Sequence, residues 1–244
     1  MEEQKSILTV PVAIIIAGAI IAGAVLYSKT PGDTPQVAGV QESEGVMAPV
    51  TNEDHILGNP DAEIKIVEYS DTSCPFCKQF HPTMERIMDE YGKDGRVAWV
   101  YRHFPLNKPD SLGRMLHPNA GKEAEAMECA AELGGNQKFW EYASRLYNVT
   151  PAVTGATPEG LPLTELPNIA EYVGLDRAKF ESCLASGRYA DEVEEDYVDG
   201  LNAGVLGTPF SYIITKSGGK VPINGALPYA DIKKAIDTLL AQSQ

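Results

Sequence analysis

A chain of 244 residues is long enough for one domain with an insertion, or for two small ones, and needs no disulfide scaffold to bury a core. Its 34 acidic side chains against 20 basic ones give a formal charge of −14. That balance argues against nucleic acid as a partner, because phosphate binding requires clustered Lys and Arg, and the plain meaning of the acidity is solubility.

Residues 1–6 form a short tail. No charge occurs between Lys5 and Lys29, and residues 7–27 are almost wholly apolar. This run matches the roughly 20 residues that span a bilayer and exceeds the ~7–15-residue apolar core of a cleaved signal. It predicts a single transmembrane helix. Ala22-Gly23-Ala24 resembles a cleavage site but lies inside the apolar run instead of after it. Lys5 and Lys29 cancel under the positive-inside rule, so charge does not orient the segment. Residues 28–51, rich in Gly, Pro, Ser, Thr and acids without an apolar period, predict a flexible linker, and the folded domain is expected over 52–244.

Ile64-Lys65-Ile66-Val67-Glu68-Tyr69 is β-rich and leads through Ser70-Asp71-Thr72-Ser73 into a helix. Phe76, Phe80, Met84, Ile87 and Met88 recur at helical spacing, which predicts a helix from Pro75 to about Tyr91, kinked at Pro82. Cys74 then sits at the N-cap, with Pro75 at the first helical position where a missing N–H costs nothing. Two cysteines spaced in this way form a redox device. The helix N-terminus stabilises a thiolate on Cys74, and Cys77, one turn further in and less exposed, can close the disulfide. The alternatives are an inert disulfide or half of a zinc site. Zinc needs a second ligand pair, and the next cysteine, Cys129, is far along the chain without a close partner; adding His81 would still leave the set incomplete. No metal is expected.

A second strand is predicted at Val97–Tyr101, then helices at His117–Glu132, Gln137–Tyr147, Leu166–Val173, Arg177–Ala185 and Ala190–Asn202. The acidic run Asp191–Asp196 is interleaved with Tyr189, Val193, Tyr197 and Val198, the pattern of an amphipathic helix with a solvated acidic face. Strands return at Phe210–Ile214 and Val221–Gly225, and a last helix covers Tyr229 to about Ala241. The class is therefore α/β, with a helical insertion over about 107–195 in one α/β unit.

Four segments together resemble the DsbA-like family of the thioredoxin superfamily from Asp54 to the C-terminus: Ile64 to Cys77 with its Glu-x5-Cys-Pro-x-Cys pattern, Tyr101-Arg102-His103-Phe104-Pro105-Leu106, Glu128-Cys129-Ala130, and Gly207-Thr208-Pro209. The resemblance implies a thioredoxin fold interrupted by a helical domain. It implies Cys74 as exposed nucleophile, Cys77 as buried partner, and Thr208-Pro209 as a loop whose cis-proline lies against the disulfide and offers backbone to substrate. It also implies Glu68 as the buried acid that manages the proton of the second cysteine; burial would raise its pKa. The Pro75-Phe76 dipeptide departs from the histidine of the most oxidising members, because Phe76 cannot hydrogen-bond the Cys74 thiolate. Cys129 and Cys183 fall on apolar sides of their helices and are either buried free thiols or, as in relatives with a second non-catalytic disulfide, a structural bridge.

The function expected from this resemblance is extracytoplasmic thiol–disulfide exchange in cysteine-containing exported proteins. A quinone-linked membrane partner would reoxidise the enzyme, and no cofactor beyond the Cys74–Cys77 pair is expected. A reductase or isomerase is the alternative within the enzyme class, and a non-catalytic peptide-binding module the alternative outside it. No dimerisation segment is evident, so a monomer is expected.

Overall fold

The structure, a computed structural model, describes residues 46–109, 112–113, 115–151 and 160–242. The apolar segment 7–27 expected to span a membrane lies outside the described residues, as does the linker up to residue 45. Among the described residues no helix is long and apolar enough to cross a membrane.

Two seven-residue strands, β2 (Ile64–Ser70) and β3 (Val97–His103), pair in parallel at the centre of a five-stranded sheet. Both are buried almost throughout, which is why their sequences are nearly continuous in apolar residues where a half-solvated strand would alternate. β4 (Phe210–Thr215) pairs antiparallel with β2, and β5 (Lys220–Asn224) with β4. A short strand that the sequence did not announce, β1 (His55–Gly58), pairs antiparallel with β3, giving the order β1-β3-β2-β4-β5.

Strand periodicity decides what each face carries. Ile64, Ile66, Trp99 and Tyr101 enter one apolar cluster, and Val67, Tyr69 and Val100 enter the other. The first face is covered by α1 (Pro75–Ile87) and α6 (Tyr229–Gln242). α1 continues through Pro82, where a kink was expected, to Ile87, and a π-helical turn at Met88–Gly92 follows. The helical insertion contributes to the same cluster through α2 (Ala120–Val149), α3 (Leu166–Tyr172) and α4 (Arg177–Ser186). Within α2, Gly135 takes φ 74° and ψ −175°, so two helices meet there, at the gap between the two helices read from the sequence. Cys129 of α2 and Cys183 of α4 are bonded, with Cα atoms 5.9 Å apart and 54 positions between them. Closing a loop of that length restrains the unfolded chain by about 4 kcal/mol in the chain-entropy account.

The second face is covered by α5 (Ala190–Asn202), and Gly200 is what lets it come close. A Cβ there would lie 2.5 Å from one Phe104 ring carbon and 3.0 Å from the Tyr69 ring. α5 is continuous through residue 195, about where the insertion was expected to end. Asp191, Glu194 and Glu195 are exposed on its outer side, but Asp196 turns inward to accept the His103 N–H at 2.8 Å. Asp199, one turn further on, is also turned inward. Val198, expected on the apolar side, is 43 % exposed. The last linker residues are not free of the domain either. Val46 N–H donates to the Asn202 carbonyl, Ala48 N–H donates to Asp199, and Met47 is buried. Buried Arg102 explains this docking, because it donates to Asp54, to Asp199 and to the carbonyls of Ala48 and Pro49. A guanidinium removed from water needs that many acceptors.

Glu128 ties the edge of the sheet to α2. Its carboxylate is held by His55 of β1 at 2.8 Å and His103 of β3 at 2.7 Å. Burial works against its charge, but these two partners bring its pKa down from 4.5 to about 2, and Glu128 helps to raise that of His55 above 6.5. A depressed acid contributes stability above its unfolded pKa of 4.5 and loses it as pH falls toward 2. A raised histidine contributes below 6.5 and loses its share as pH rises through its folded value. The linkage is therefore strongest between about pH 4.5 and 6.5. Glu128→Gln is expected to cost about 2–4 kcal/mol at pH 5.5 and distinctly less at pH 8, read from urea unfolding at the two pH values.

Candidate active site

Cys74 occupies the N-cap of α1 with extended backbone (φ −75°, ψ 123°), and Pro75 follows at the first helical position. The turn before it is closed by the Cys74 N–H donating to the Asp71 carbonyl at 3.0 Å. Cys77 lies one turn into the helix and is fully buried. Both sulfurs are free thiols. The Thr208-Pro209 peptide bond is cis, and the Cys74 thiol donates to the Thr208 carbonyl at 3.4 Å. The loop before β4 thus meets the head of α1, 134 positions away in the chain. Its presence corrects one expectation: Cys74 is only 4 % exposed, whereas Phe76 beside it is 60 % exposed.

The two sulfurs have opposite acidities. The Cys77 thiol hydrogen-bonds Cys74 and lowers its pKa; the Thr208 side chain and the Cys77 backbone N–H act in the same direction against the cost of burial, and the result is about 6 instead of 9. Burial drives Cys77 well above its ordinary value, and the neighbouring Cys74 adds to this. At neutral pH the pair holds one thiolate, on Cys74, and one proton, on Cys77.

Glu68 shares the strand parity of Ile64 and Ile66 and so points to the α1 side of the sheet. It is 1 % exposed and accepts the Trp99 indole N–H at 2.9 Å. Burial raises its pKa from 4.5 to about 7, although Ser70 and Trp99 hydrogen bonds pull it back. Its negative field adds to the elevation of Cys77. Around it, Ser70 Oγ meets the Tyr147 hydroxyl at 2.8 Å, and Tyr147 meets the Tyr101 hydroxyl at 2.9 Å.

Two further residues matter that the motif alone does not reveal. Lys78, the residue after Cys77, donates to the carbonyls of Tyr147, Asn148 and Thr150 at 2.5, 3.1 and 2.7 Å, capping the C-terminus of α2 and fastening the redox helix to the insertion. His81 is buried against Trp99 and Tyr147, with ring centroids 5.1 and 4.6 Å away, and Nε2 lies 3.0 Å from the Ser144 hydroxyl; these contacts make it a packing residue. Among the described residues, the groups closest to a metal-ligand set are His55, Glu128 and Glu192, with ligand atoms within 4.8 Å of one another. Both Glu128 oxygens are already taken by His55 and His103.

Raising the pKa of a buried acid from 4.5 to about 7 costs stability as pH climbs through that interval, because the folded state holds a proton that the unfolded state has released. The penalty is absent below pH 4.5 and complete above about 7. Glu68→Gln keeps an acceptor for Trp99 and is expected to stabilise the protein at pH 8 by on the order of 3 kcal/mol, with little change at pH 4, in chemical unfolding.

A family model described as Thioredoxin matches residues 50–238. The fold is similar to that of Wolbachia pipientis alpha-DsbA1, at 23 % identity and a TM-score of 0.66 over 79 % of this chain and 94 % of that one. It is equally similar to oxidised BdbD from Bacillus subtilis, at 20 % identity and a TM-score of 0.66 over 82 % and 100 % of the two chains. In sequence, a Na(+)/H(+) antiporter NhaA 3 of Salinispora tropica is 33 % identical over 175 residues, which is 70 % of this chain and 24 % of the antiporter. The chain spans about a quarter of the length of the curated relatives it matches. With a family model matching residues 50–238 and a fold similar to those DsbA and BdbD structures, the chain belongs to the thioredoxin family and carries a DsbA-like form of its fold.

Proposed function

We propose that this chain is an extracytoplasmic thiol–disulfide oxidoreductase, anchored by residues 7–27, that uses Cys74-Pro75-Phe76-Cys77 to form or exchange disulfides in cysteine-containing exported proteins. The observation that carries the proposal is the unequal pair at the head of α1: an easily ionised Cys74 against Thr208-Pro209, and a buried, proton-holding Cys77 near Glu68. A non-catalytic binding module would have no need of that difference. The Cys129–Cys183 bond supports an oxidising compartment, where structural disulfides persist.

In the oxidising direction the enzyme begins with the Cys74–Cys77 disulfide. A substrate thiolate attacks the Cys74 sulfur, forming a mixed disulfide and expelling Cys77, whose high pKa requires a proton; Glu68, with a pKa of about 7, is matched to supply it. A second substrate thiolate then attacks the substrate sulfur of the mixed disulfide and releases Cys74 as a stabilised thiolate. Substrate loses two electrons and two protons; the enzyme pair gains the electrons and one proton, held on Cys77, and the other proton passes to solvent. Reoxidation falls to a quinone-linked membrane partner that takes the electrons away. Thr208 and Pro209 supply backbone alongside the mixed disulfide, and the exposed Phe76 and Leu206 offer apolar contact to an extended substrate. Because Phe76 donates no hydrogen bond to the thiolate, the pair should be less oxidising than the ~−120 mV of the strongest oxidants of this kind.

The test is turnover of a dithiol peptide by the full chain, followed by mass spectrometry. Cys74→Ser is expected to lower the rate by at least about a thousandfold, to background. Cys77→Ser, given the same peptide in its disulfide form, is expected to accumulate a mixed disulfide on Cys74, because the nucleophile remains while the resolving thiol is gone. Normal turnover by Cys77→Ser would assign the roles wrongly, and absence of turnover by the intact pair would leave a binding module.

A further inference from the structure

The turn that delivers Cys74 to the helix is held by groups outside the redox motif. Asp71, 2 % exposed at the end of β2, accepts the Ser73 N–H on Oδ1 at 2.8 Å. Its Oδ2 accepts the Leu106 N–H at 2.7 Å and faces His117 Nδ1 at 2.8 Å. The His117 N–H in turn donates to the Leu106 carbonyl at 3.0 Å, so β2, the chain after β3 and the approach to α2 meet on one carboxylate. Glu123, fully buried in the first turn of α2, accepts the Thr72 and Ser73 hydroxyls at 2.5 and 2.9 Å.

Two buried carboxyls therefore flank the short segment before a sulfur that must become an anion. The Asp71 charge opposes ionisation of Cys74. The dipeptide between the cysteines offers no cation, since it is Pro75-Phe76. His117, 4 % exposed, lies in ion-pair contact with Asp71 and within the field of the Cys74 sulfur.

We propose that His117 is a positioning residue for Cys74: seated on Asp71, its imidazolium offsets the carboxylate's field at the sulfur and fixes the 71–74 turn, so that the thiolate forms without a donor side chain in the motif. The charged groups that act on the ring come from three elements: Asp71 at the end of β2, in contact with it, Cys74 at the head of α1, and Glu123 in α2. Burial alone favours the neutral ring, but the hydrogen bond and charge of Asp71, with Cys74 and Glu123 behind it, reverse this and raise the His117 pKa above 6.5. Coupling between the two sites is reciprocal: a His117 cation that favours the thiolate must be favoured by it. The inference rests on Cys74 being the reacting sulfur.

Two measurements on the full chain in detergent test it. In the reduced protein, the Cys74 thiolate is titrated by its ultraviolet absorbance in wild type, His117→Gln and Asp71→Asn/His117→Gln, with cooperative thermal unfolding as the check on folding. His117→Gln is expected to raise the midpoint by about one unit, and the double variant, which removes the uncompensated carboxylate as well, to bring it back to within about half a unit of wild type. A merely structural clamp would leave the double variant as impaired as the single one, and that outcome overturns the proposal. So does an unchanged midpoint in folded His117→Gln. An ordinary wild-type midpoint of about 8.5 would instead remove the premise about Cys74. The second measurement needs no variant: the imidazole resonances of the four histidines are titrated in the reduced and oxidised protein. Oxidation removes the thiolate, so the His117 midpoint is expected to fall by about half a unit or more; equal midpoints in the two states would overturn the proposal.

Discussion

The difference in proton affinity between two sulfurs one helical turn apart is the constraint on which the rest of this structure depends. It arises from placement. Cys74 lies at the open end of α1, where unpaired backbone donors and the adjacent Cys77 thiol favour an anion, whereas Cys77 lies where no water reaches. Inverting the two environments would leave a sulfur that attacks poorly and a partner that leaves too early. Proline at the first helical position fits this arrangement, since it gives up only an N–H that the helix could not have used.

The sheet and the insertion both serve that placement. Parallel pairing of β2 with β3 brings Trp99 beside Glu68 on the face that α1 covers, so a carboxyl is buried with an acceptor oxygen satisfied and its pKa near neutrality. The insertion does more than cover the core. α2 presents its C-terminal carbonyls to Lys78, its first turn presents Glu123 to Thr72 and Ser73, and the chain leading into it presents His117 to Asp71. Each contact reaches the few residues around the cysteines from a different direction, and the Cys129–Cys183 bond fixes α2 to α4 behind them. On the opposite face Arg102 draws Asp54, Asp199 and the carbonyls of Ala48 and Pro49 together, which is how a segment with the composition of a linker becomes part of the folded domain.

Much of this was legible in the sequence where the signal is local. Helical spacing from Phe76 to Met88, with Pro75 at its start, marks α1, and strand parity alone assigns Glu68 to the face of Ile64 and Ile66. The gap at Gly135 separates two helices because glycine can adopt a positive φ there without a steric penalty. Other features required partners distant in sequence. Cys74 was expected to be exposed on the resemblance alone; the Thr208 carbonyl, 134 positions away in the chain, lies against its sulfur. Lys78 and Arg102 each look like ordinary surface cations until their acceptors are known. β1 has four residues and one histidine, too short a run for a period of two to declare itself, and it exists because the edge of β3 was available. Asp196 and Asp199 were indistinguishable by composition from the solvated acids around them, and only the main-chain N–H of His103 and the Arg102 guanidinium turn them inward.

The most direct measurement is a carbon-13 titration of the reduced protein with labelled cysteine β-carbons, which reports Cys74 and Cys77 separately. The account predicts one resonance titrating with a midpoint near 6, assigned to Cys74, and a second, assigned to Cys77, that does not begin to titrate until well above pH 9. Two resonances titrating together near the ordinary value of about 8.5 would contradict it, because the placement of the two sulfurs would then have produced no difference between them.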